Sequence, residues 1–322
     1  MKVVPIAFAF DENLIFPAGV CIHSLLINAN PDTFYDIFIL GSSKKELDLS
    51  SLDKLKDSYT NFSIKYRKVA STFDDSFEIR GITPATYYRL MIPDFVPEYD
   101  KIIYSDVDVI FREDLSLWYE QTHLKDEYVA GVNSLSHLNR DTDDYYRKDL
   151  MIDSSKIIYA GNIILNSKKI REDGLGDKFK EHAFKKYRFQ DLDIINIVCK
   201  DRIKYMAPGF CLTTDITEFA SMDKASLTSI WSEADIEHAL KKGIVHYNGQ
   251  KPWIGGCINF DIWWEYYRKS PYFDQCLYYR FFDNMLNHLD SLSLLKRIKI
   301  LLRYFIFGKY NKNAKVTISK ES

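Results

Sequence analysis

Two aspartates, Asp106 and Asp108, interrupt an apolar run in the segment "DKIIYSDVDVIF". Side chains two residues apart on an extended chain point to the same side, about 6–7 Å from each other. Two carboxylates at that spacing repel unless a cation lies between them, and Mg²⁺ and Mn²⁺ are divalent ions that prefer oxygen ligands. The pair therefore predicts a metal site, and the alternative is two ordinary turn aspartates at the end of a strand.

The spacing alone does not single out this pair, because the chain contains two other D-x-D tripeptides, Asp141–Asp143 and Asp191–Asp193. The first lies in the polar segment "NRDTDDYYRKD", which predicts a solvated loop. Asp191 precedes an apolar helical run, where the default role of an aspartate is the helix N-cap. Asp106–Asp108 differs because it follows a buried-type strand, and α/β sheets bind ligands at the carboxyl ends of their strands.

A second segment, "GIVHYNGQKPW", carries residues suited to a diphosphate. His246 ends an apolar strand, Gly249 would allow close backbone approach, and Lys251 can meet a phosphate as a point charge. A lone histidine at a strand end is more often structural, but these neighbours favour a ligand role. In "FAFDEN", Asp11 and Asn13 follow the first strand, where they would recognise a nucleobase or ribose. Neither a dinucleotide fingerprint nor a P-loop occurs in the sequence.

The elements that must position these residues alternate between strands and helices. "VVPIAFAF" (3–10) and "YDIFILGSS" (35–43) are apolar enough for strands buried on both faces, and the helical pattern of "FPAGVCIHSLLINA" (16–29) separates them. "NFSIKYRKV" (61–69) alternates as a third strand. This order predicts a mostly parallel sheet flanked by helices. We expect one α/β domain over residues 1–259 and a helical extension over 260–322.

Composition narrows the classes of function. A net charge of −2 does not favour a nucleic-acid binder. The five cysteines form no C-x-x-C pair, which argues against a disulfide framework or zinc ribbon and for a reducing, cytoplasmic compartment. The N-terminus predicts a first strand rather than a signal peptide. No run of 18 apolar residues occurs, so no membrane-spanning helix is expected.

The C-terminal extension has two distinct parts. "WWEYYRKSPYFDQCLYYRFFD" (263–283) predicts a helical cap packed through its rings, with a sugar-stacking platform as the alternative. In "SLLKRIKILLRYFIFGK" (293–309), the apolar residues fall on one arc of a helix, and Lys296, Lys299 and Arg303 fall outside that arc. This pattern predicts an interfacial helix on an anionic membrane surface, which would place the protein on the inner face of the cytoplasmic membrane. The alternative is a helix that docks on protein.

Seven segments, taken in order and spacing over about residues 3–275, resemble the family 8 glycosyltransferases: "IAFAFDEN", "ATYYRL", "DKIIYSDVDVIF", "YAGNIILNSKKI", "FQDLDIIN", "HYNGQKPW" and "IWWEYYRKSPYFD". This is the retaining GT-A group that includes bacterial lipopolysaccharide galactosyl- and glucosyltransferases and glycogenin. The resemblance implies a Rossmann-like GT-A fold, a UDP-galactose or UDP-glucose donor, and Mn²⁺, with Mg²⁺ as the alternative. It also implies a glycan or lipid-linked glycan acceptor in lipopolysaccharide, capsule or other cell-surface glycan synthesis.

The resemblance assigns roles position by position. Asp106, Asp108 and His246 match the metal ligands, and Lys251 matches a lysine at the diphosphate. The other implied donor-binding residues are Phe8, Ala9, Phe10, Asp11, Asn13, Arg89, Val107, Asn133, Asn162 and Gly249. The implied catalytic residues are Asp191, Asp193 and Lys251, with Asp191 also falling where the family binds the hydroxyls of the donor sugar.

The sequence departs from the family at positions near the donor sugar. Tyr159 stands where the family usually has asparagine, and Leu192 where it often has glutamine. The loop from His246 to Lys251 is one residue shorter than the common form. Since Leu192 cannot be a nucleophile, we expect same-face attack with Asp191 holding the sugar, and a covalent intermediate on Asp193 as the minor alternative. The alternative functions are a non-catalytic nucleotide-sugar-binding relative and a metal-dependent nucleotidyltransferase.

Overall fold

The strands form two sheets in the structure, a computed structural model that describes residues 1–44, 46–69, 84–287 and 292–307. The larger sheet has seven strands in the order β3-β2-β1-β4-β7-β6-β8, and the smaller has the order β5-β10-β9. The strands are β1 Lys2–Ala9, β2 Thr33–Ser42, β3 Phe62–Val69, β4 Ile102–Ser105, β5 Val109–Ile110, β6 Val129–Asn133, β7 Ile158–Leu165, β8 Ile203–Met206, β9 Leu212–Thr213 and β10 Val245–His246.

The larger sheet is mostly parallel, as the sequence predicts. Strand β1 pairs in parallel with β2 and β4, while β7 runs antiparallel to both of its neighbours, β4 and β6. Strand β1 is internal in the sheet and helical segments pack on it, so its apolar run is covered, and Ile6, Ala7 and Phe8 are fully buried. This packing explains why the segment is apolar throughout rather than alternating.

Helices of the first 272 residues accompany the sheets, and their bounds are α1 Ile15–Ile27, α2 Ile92–Phe95, α3 Ser116–Gln121, α4 Arg140–Asp144, α5 Ser167–Glu172, α6 Leu175–Ala183, α7 Gln190–Val198, α8 Thr214–Met222, α9 Lys224–Thr228, α10 Glu233–Lys242 and α11 Phe260–Lys269. Shorter 3₁₀ segments include Pro84–Met91, which leads directly into α2. Asp191 lies within the first turn of α7 rather than at its N-cap, which is Phe189.

The small sheet contains His246, one of the predicted site residues. Strand β10 runs antiparallel to β5, with His246 opposite Val109, and parallel to β9, with His246 opposite Thr213. Val109 follows Asp108 directly in the chain. This register therefore places the histidine beside the aspartate pair.

The chain divides into two units after Tyr272 rather than at residue 259. Helix α11 belongs to the first unit, because its residues Trp263, Trp264 and Tyr267 are buried and the helix packs against α1. The rings of this part of the aromatic segment are therefore buried within the first unit. The second unit, Phe273–Ser322, contains α12 (Gln275–Leu286) and α13 (Leu294–Phe307). Residues 308–309, the end of the predicted membrane-binding segment, lie outside the described residues.

Candidate active site

A cavity of about 920 Å³ is lined by residues that directly follow β1 and β4. Its volume is near the upper end of the range of about 300–1,000 Å³ that small-molecule sites occupy. Ten of the predicted site residues line it: Ala9, Phe10, Asp11, Arg89, Asp106, Val107, Asp108, Asp191, His246 and Lys251. The structure thus gathers, around one space, residues that are far apart in the sequence.

Asp106, Asp108 and His246 form a cluster that could hold a metal ion, with one ligand atom from each within 4.8 Å of the others. The Nε2 atom of His246 lies 3.4 Å from Asp108 Oδ1 and 3.6 Å from Asp106 Oδ2. Two carboxylate oxygens and one imidazole nitrogen suit Mn²⁺ and related divalent ions. Burial works to raise the pKa of Asp108, but Lys251 and His246 outweigh it and hold that pKa well below its ordinary value.

The backbone at Gly161 leaves the room that the His246 ring occupies. A Cβ atom built on Gly161 would lie 2.1 Å from Cε1 of His246 and 2.7 Å from each ring nitrogen. The residue at this point of β7 must therefore lack a side chain. By contrast, Gly249 is exposed, and a Cβ there would meet no protein atom within 4 Å, so the close backbone approach expected of Gly249 stays a prediction about a ligand.

The Arg89 side chain contacts two acidic residues of the site, Asp106 and Asp191. Its guanidinium donates to Asp106 Oδ1 at 2.7 Å and lies 3.1 Å from Asp191 Oδ2, and it also donates to the Ala160 carbonyl oxygen at 3.0 Å. Although burial opposes its charge, the two carboxylates raise the pKa of Arg89. A planar group with several donors can orient both carboxylates at once, which a lysine cannot do.

Lys251 contacts the cluster through Asp108. Its ammonium group forms an ion pair with Asp108 Oδ2 and donates to the Tyr247 carbonyl oxygen at 2.6 Å. The side chain is 29% exposed, so it lies at the cavity surface rather than beneath it. A positive charge there can meet a phosphate group without losing contact with the protein.

The two aspartates of α7 have different surroundings. Asp191 lines the cavity, where Thr86 donates to its Oδ1 at 2.7 Å, and burial raises its pKa against the opposing effect of Arg89. Asp193 does not line it: the Tyr146 hydroxyl donates to its Oδ1 at 2.8 Å, and the Tyr145 hydroxyl to its Oδ2 at 2.7 Å. The backbone N–H of Phe189 also donates to Oδ2, at 2.9 Å. Asp193 is therefore fully buried and hydrogen-bonded through both oxygens.

Five further predicted donor-binding residues are not among those that line the cavity: Phe8, Asn13, Asn133, Asn162 and Gly249. Asn162 points into the core, where it accepts from the Ser105 hydroxyl at 2.6 Å and donates to the Phe210 carbonyl oxygen at 3.1 Å. Asn133 accepts from the backbone N–H of Leu135 at 3.1 Å and so supports the turn beside the cavity. Both amides are used in holding backbone segments together.

One wall of the cavity was missed by the sequence analysis. Residues 134–146, which contain the tripeptide assigned to a solvated loop, include helix α4 and contribute Ser134, Leu135, Ser136, Asn139, Thr142 and Tyr146 to the lining. The sequence does contain a local signal for helix α4. Asparagine is a favoured N-cap residue, and Asn139 caps α4 by accepting from the backbone N–H groups of Asp141 and Thr142.

A second missed group surrounds Tyr159. Its hydroxyl donates to Asp215 Oδ2 at 2.9 Å, and the Asn248 side chain donates to the same oxygen at 3.3 Å. All three residues line the cavity, beside Glu218 and Phe219. The place of Asp215 follows from the start of α8 beside β10, so no local pattern could indicate it.

An α/β sheet with an Asp-x-Asp and histidine cluster at a large cavity is the arrangement of an α/β enzyme that binds its substrates at the edge of the sheet. The model of glycosyl transferase family 8 matches residues 5–255. The chain belongs to that family and is a hexosyltransferase with the GT-A fold.

Comparison with individual proteins agrees with this assignment. The chain is 22% identical over 281 residues to the lipopolysaccharide 1,3-galactosyltransferase of Salmonella typhimurium, covering 84% of this chain and 76% of that protein. It is similar in structure to the galactosyltransferase LgtC in complex with donor and acceptor sugar analogs, with a TM-score of 0.66 and 22% identity over 84% of this chain and 98% of LgtC. The bifunctional glycosyltransferase WbbM gives a TM-score of 0.67 and 23% identity over 87% of this chain, which spans about half (52%) of WbbM.

Proposed function

We propose that the protein is a metal-dependent retaining glycosyltransferase that moves galactose or glucose from a UDP-sugar to a glycan acceptor of the cell surface. The observation that carries the proposal is the cluster of Asp106, Asp108 and His246 at the cavity, with Lys251 beside it. The names of the lipopolysaccharide galactosyltransferase and of LgtC support a hexose donor and a lipopolysaccharide acceptor.

The residues present fit a divalent cation. The ligand atoms of Asp106, Asp108 and His246 lie close enough to share one ion, and Gly161 leaves the imidazole room to join them. We propose Mn²⁺, with Mg²⁺ as the alternative, because the histidine favours the softer of the two. When bound, the ion would neutralise charge that develops on the diphosphate as the sugar departs.

The other residues of the cavity would bind and orient the donor. Asp11 follows β1 at the cavity wall, in a position to recognise the nucleoside, and Lys251 would bind the diphosphate. Asp191 would accept a hydrogen bond from a hydroxyl of the donor sugar, since Thr86 and Arg89 fix the orientation of its carboxylate. Fixed dipoles and charges of this kind stabilise a transition state without having to reorganise.

For the transfer step we propose attack from the same face as the leaving group. The bond between the anomeric carbon and the β-phosphate oxygen breaks, a bond to the acceptor oxygen forms, and the acceptor proton passes to the departing phosphate oxygen. Two features of α7 support this route over a covalent intermediate. Leu192 carries no nucleophile, and Asp193 has both oxygens engaged by Tyr145, Tyr146 and Phe189.

The test is hydrolysis of UDP-galactose and UDP-glucose in the presence and absence of Mn²⁺, with UDP release as the readout. We expect Mn²⁺-dependent hydrolysis of at least one donor, its loss in Asp108→Asn, and no change in the control Asp126→Asn at an exposed site. Full activity of Asp108→Asn would refute the metal assignment. Pyrophosphate release from nucleoside triphosphates would instead indicate a nucleotidyltransferase, and UDP-sugar binding without turnover would indicate a non-catalytic relative.

We also propose that α13 binds an anionic membrane surface at the inner face of the cytoplasmic membrane, where a lipid-linked acceptor would lie. Leu294, Leu295, Leu301, Leu302 and Phe305 are all more than half exposed, and the helix carries basic residues and no acidic ones. An exposed apolar arc beside positive charge is the pattern of an interfacial helix. Among the described residues no helix is both long and apolar enough to cross a bilayer.

The membrane proposal is tested by sedimentation with vesicles of phosphatidylcholine, with or without phosphatidylglycerol. We expect binding only to the anionic vesicles, and its loss in a variant with Lys296→Glu and Lys299→Glu. The matched control places the same two changes at Lys241 and Lys242, two exposed lysines of α10. Equal binding by both variants would refute the assignment of the surface to α13.

A further inference from the structure

The His246 ring is fixed on three sides, and the third contact comes from a buried cysteine. Gly161 faces the ring, Nε2 points to the two aspartates, and the thiol sulfur of Cys211 lies 3.7 Å from Nδ1. Cys211 directly precedes β9, which pairs with β10, and it is fully buried. The register of the small sheet therefore places this sulfur behind the histidine.

The contact decides which nitrogen of the ring can bind a cation. A neutral imidazole carries one proton, so Nε2 presents a lone pair only if the proton is on Nδ1. Histidines that ligate metals usually donate the second N–H to an acceptor, which fixes both the tautomer and the ring orientation. In the structure, Cys211 Sγ lies 3.7 Å from Nδ1, within reach for a hydrogen bond in which it would accept that proton.

We infer that Cys211 is a positioning residue for the metal site, holding His246 in the tautomer whose Nε2 faces Asp106 and Asp108. This inference rests on the proposed metal-dependent function, and it deepens that function by adding a residue behind the ligands. Because a thiol sulfur is a weak acceptor, it raises the basicity of the imidazole less than a carboxylate would. Cys211 would therefore orient the ligand while leaving the affinity for the ion moderate.

The experiment is a titration with Mn²⁺ in the presence of saturating UDP, in which electron paramagnetic resonance measures the free ion. Cys211→Ala should weaken Mn²⁺ binding by about 10-fold, the lower end of the range typical for loss of the hydrogen-bond partner of a metal-ligating histidine, because a thiol is a weak acceptor. Cys211→Ser should behave similarly, because its shorter Cβ–O bond holds the oxygen farther from Nδ1. Neither prediction depends on transfer activity.

The matched control is Cys199→Ala, which removes an equally buried thiol from the core beside α7 without touching the site. We expect Cys199→Ala to lose stability but to keep the Mn²⁺ affinity of the wild type. If Cys211→Ala also keeps that affinity within twofold while Asp108→Asn abolishes binding, the inference fails and the metal site stands. If Asp108→Asn also binds normally, the proposed metal site itself fails.

A direct measurement decides the question even if Cys211→Ala does not fold. Long-range ¹H–¹⁵N spectra of the wild-type protein with Mg²⁺ and UDP report the tautomer of each histidine. We expect the proton of His246 on Nδ1. A proton on Nε2 would overturn the inference.

Discussion

The three hydrogen bonds to Asp193 connect two walls of the cavity, and they allow a worked prediction. Asp193 lies on the first turn of α7, beside the lining residue Asp191, while Tyr145 and Tyr146 begin a π-helical turn that follows α4. Tyr146 also stacks on Phe189, with ring centroids 6.2 Å apart. We therefore expect Asp193 to act as an anchor that keeps the wall of residues 134–146 in place.

The perturbation is Tyr146→Phe, which removes the hydroxyl that donates to Asp193 Oδ1 and leaves the ring. A hydrogen bond to a charged group contributes about 1.5–3 kcal/mol, and the oxygen left behind is fully buried. We expect the free energy of unfolding to fall by about 1.5–3 kcal/mol. Asp193→Ala strands two hydroxyls and one backbone N–H, at about 1–3 kcal/mol each, so it should cost about 3–9 kcal/mol.

Urea unfolding followed by tryptophan fluorescence measures these changes. The matched control is Tyr99→Phe, since the Tyr99 hydroxyl also donates to a buried aspartate, Asp36, at 2.8 Å, away from the cavity. Both tyrosine variants should lose stability, but only Tyr146→Phe should also lower the rate of UDP-sugar hydrolysis. A loss below about 0.5 kcal/mol in Tyr146→Phe would refute the anchoring role, and so would a glycosyl adduct trapped on Asp193 and detected by mass spectrometry.

Three further changes have expected outcomes of their own. Gly161→Ala should displace the His246 ring and abolish Mn²⁺ binding in the resonance titration, whereas Gly256→Ala, where a Cβ meets no atom within 4 Å, should bind normally; equal affinities would contradict the steric argument. Burial lowers the pKa of His23 from 6.5 to about 4, so the unfolded chain takes up a proton first as the pH falls. The stabilisation present above pH 6.5 should therefore decrease by about 2 kcal/mol between about pH 7 and pH 5. Urea unfolding at both pH values should show a smaller decrease in His23→Gln, and an unchanged pH dependence would exclude His23 as its source. Arg89→Lys should lower stability by about 3–5 kcal/mol in the same assay, because one ammonium cannot serve both carboxylates; wild-type stability would show that the double contact contributes little.

Much of the candidate metal cluster could be predicted from sequence, because the signals that its residues give are local. Asp106, Asp108 and His246 each stand at the end of an apolar run. The ends of parallel strands meet at one edge of a sheet, which accounts for the place of the aspartate pair, whereas His246 lies in the smaller sheet and was expected beside the pair from the family resemblance. The structure brings all three together, as expected.

The orientation of the Asn133 and Asn162 side chains could not be predicted from the sequence. Asn133 and Asn162 stand on strands near the site, but β7 runs antiparallel to β4, with Asn162 opposite Ser105. That register turns the Asn162 amide into the core. Neither the direction of β7 nor the choice of face can be obtained from residue type, because both depend on pairing with distant segments.

The wall of residues 134–146 could not be predicted for a related reason. Its segment is polar and looks solvated, but the contacts that order it come from Asp193 and Phe189, about 50 positions further along the chain. The same tripeptide spacing thus occurs at a candidate ligand pair, in a capped helix, and at Asp191 and Asp193, of which the first lines the cavity and the second is buried behind it.

The pairing of β10 with β5 also has a consequence for how the chain reaches its final form. The sequence between β9 and β10 contains three helices, α8 to α10, so His246 can meet the aspartates only after this long excursion has closed. Any ion bound there stabilises the closed arrangement by mass action, in proportion to its concentration relative to its dissociation constant. An ion at this site would then hold both ends of the excursion in place, and its removal should make residues 214–244 more susceptible to a protease.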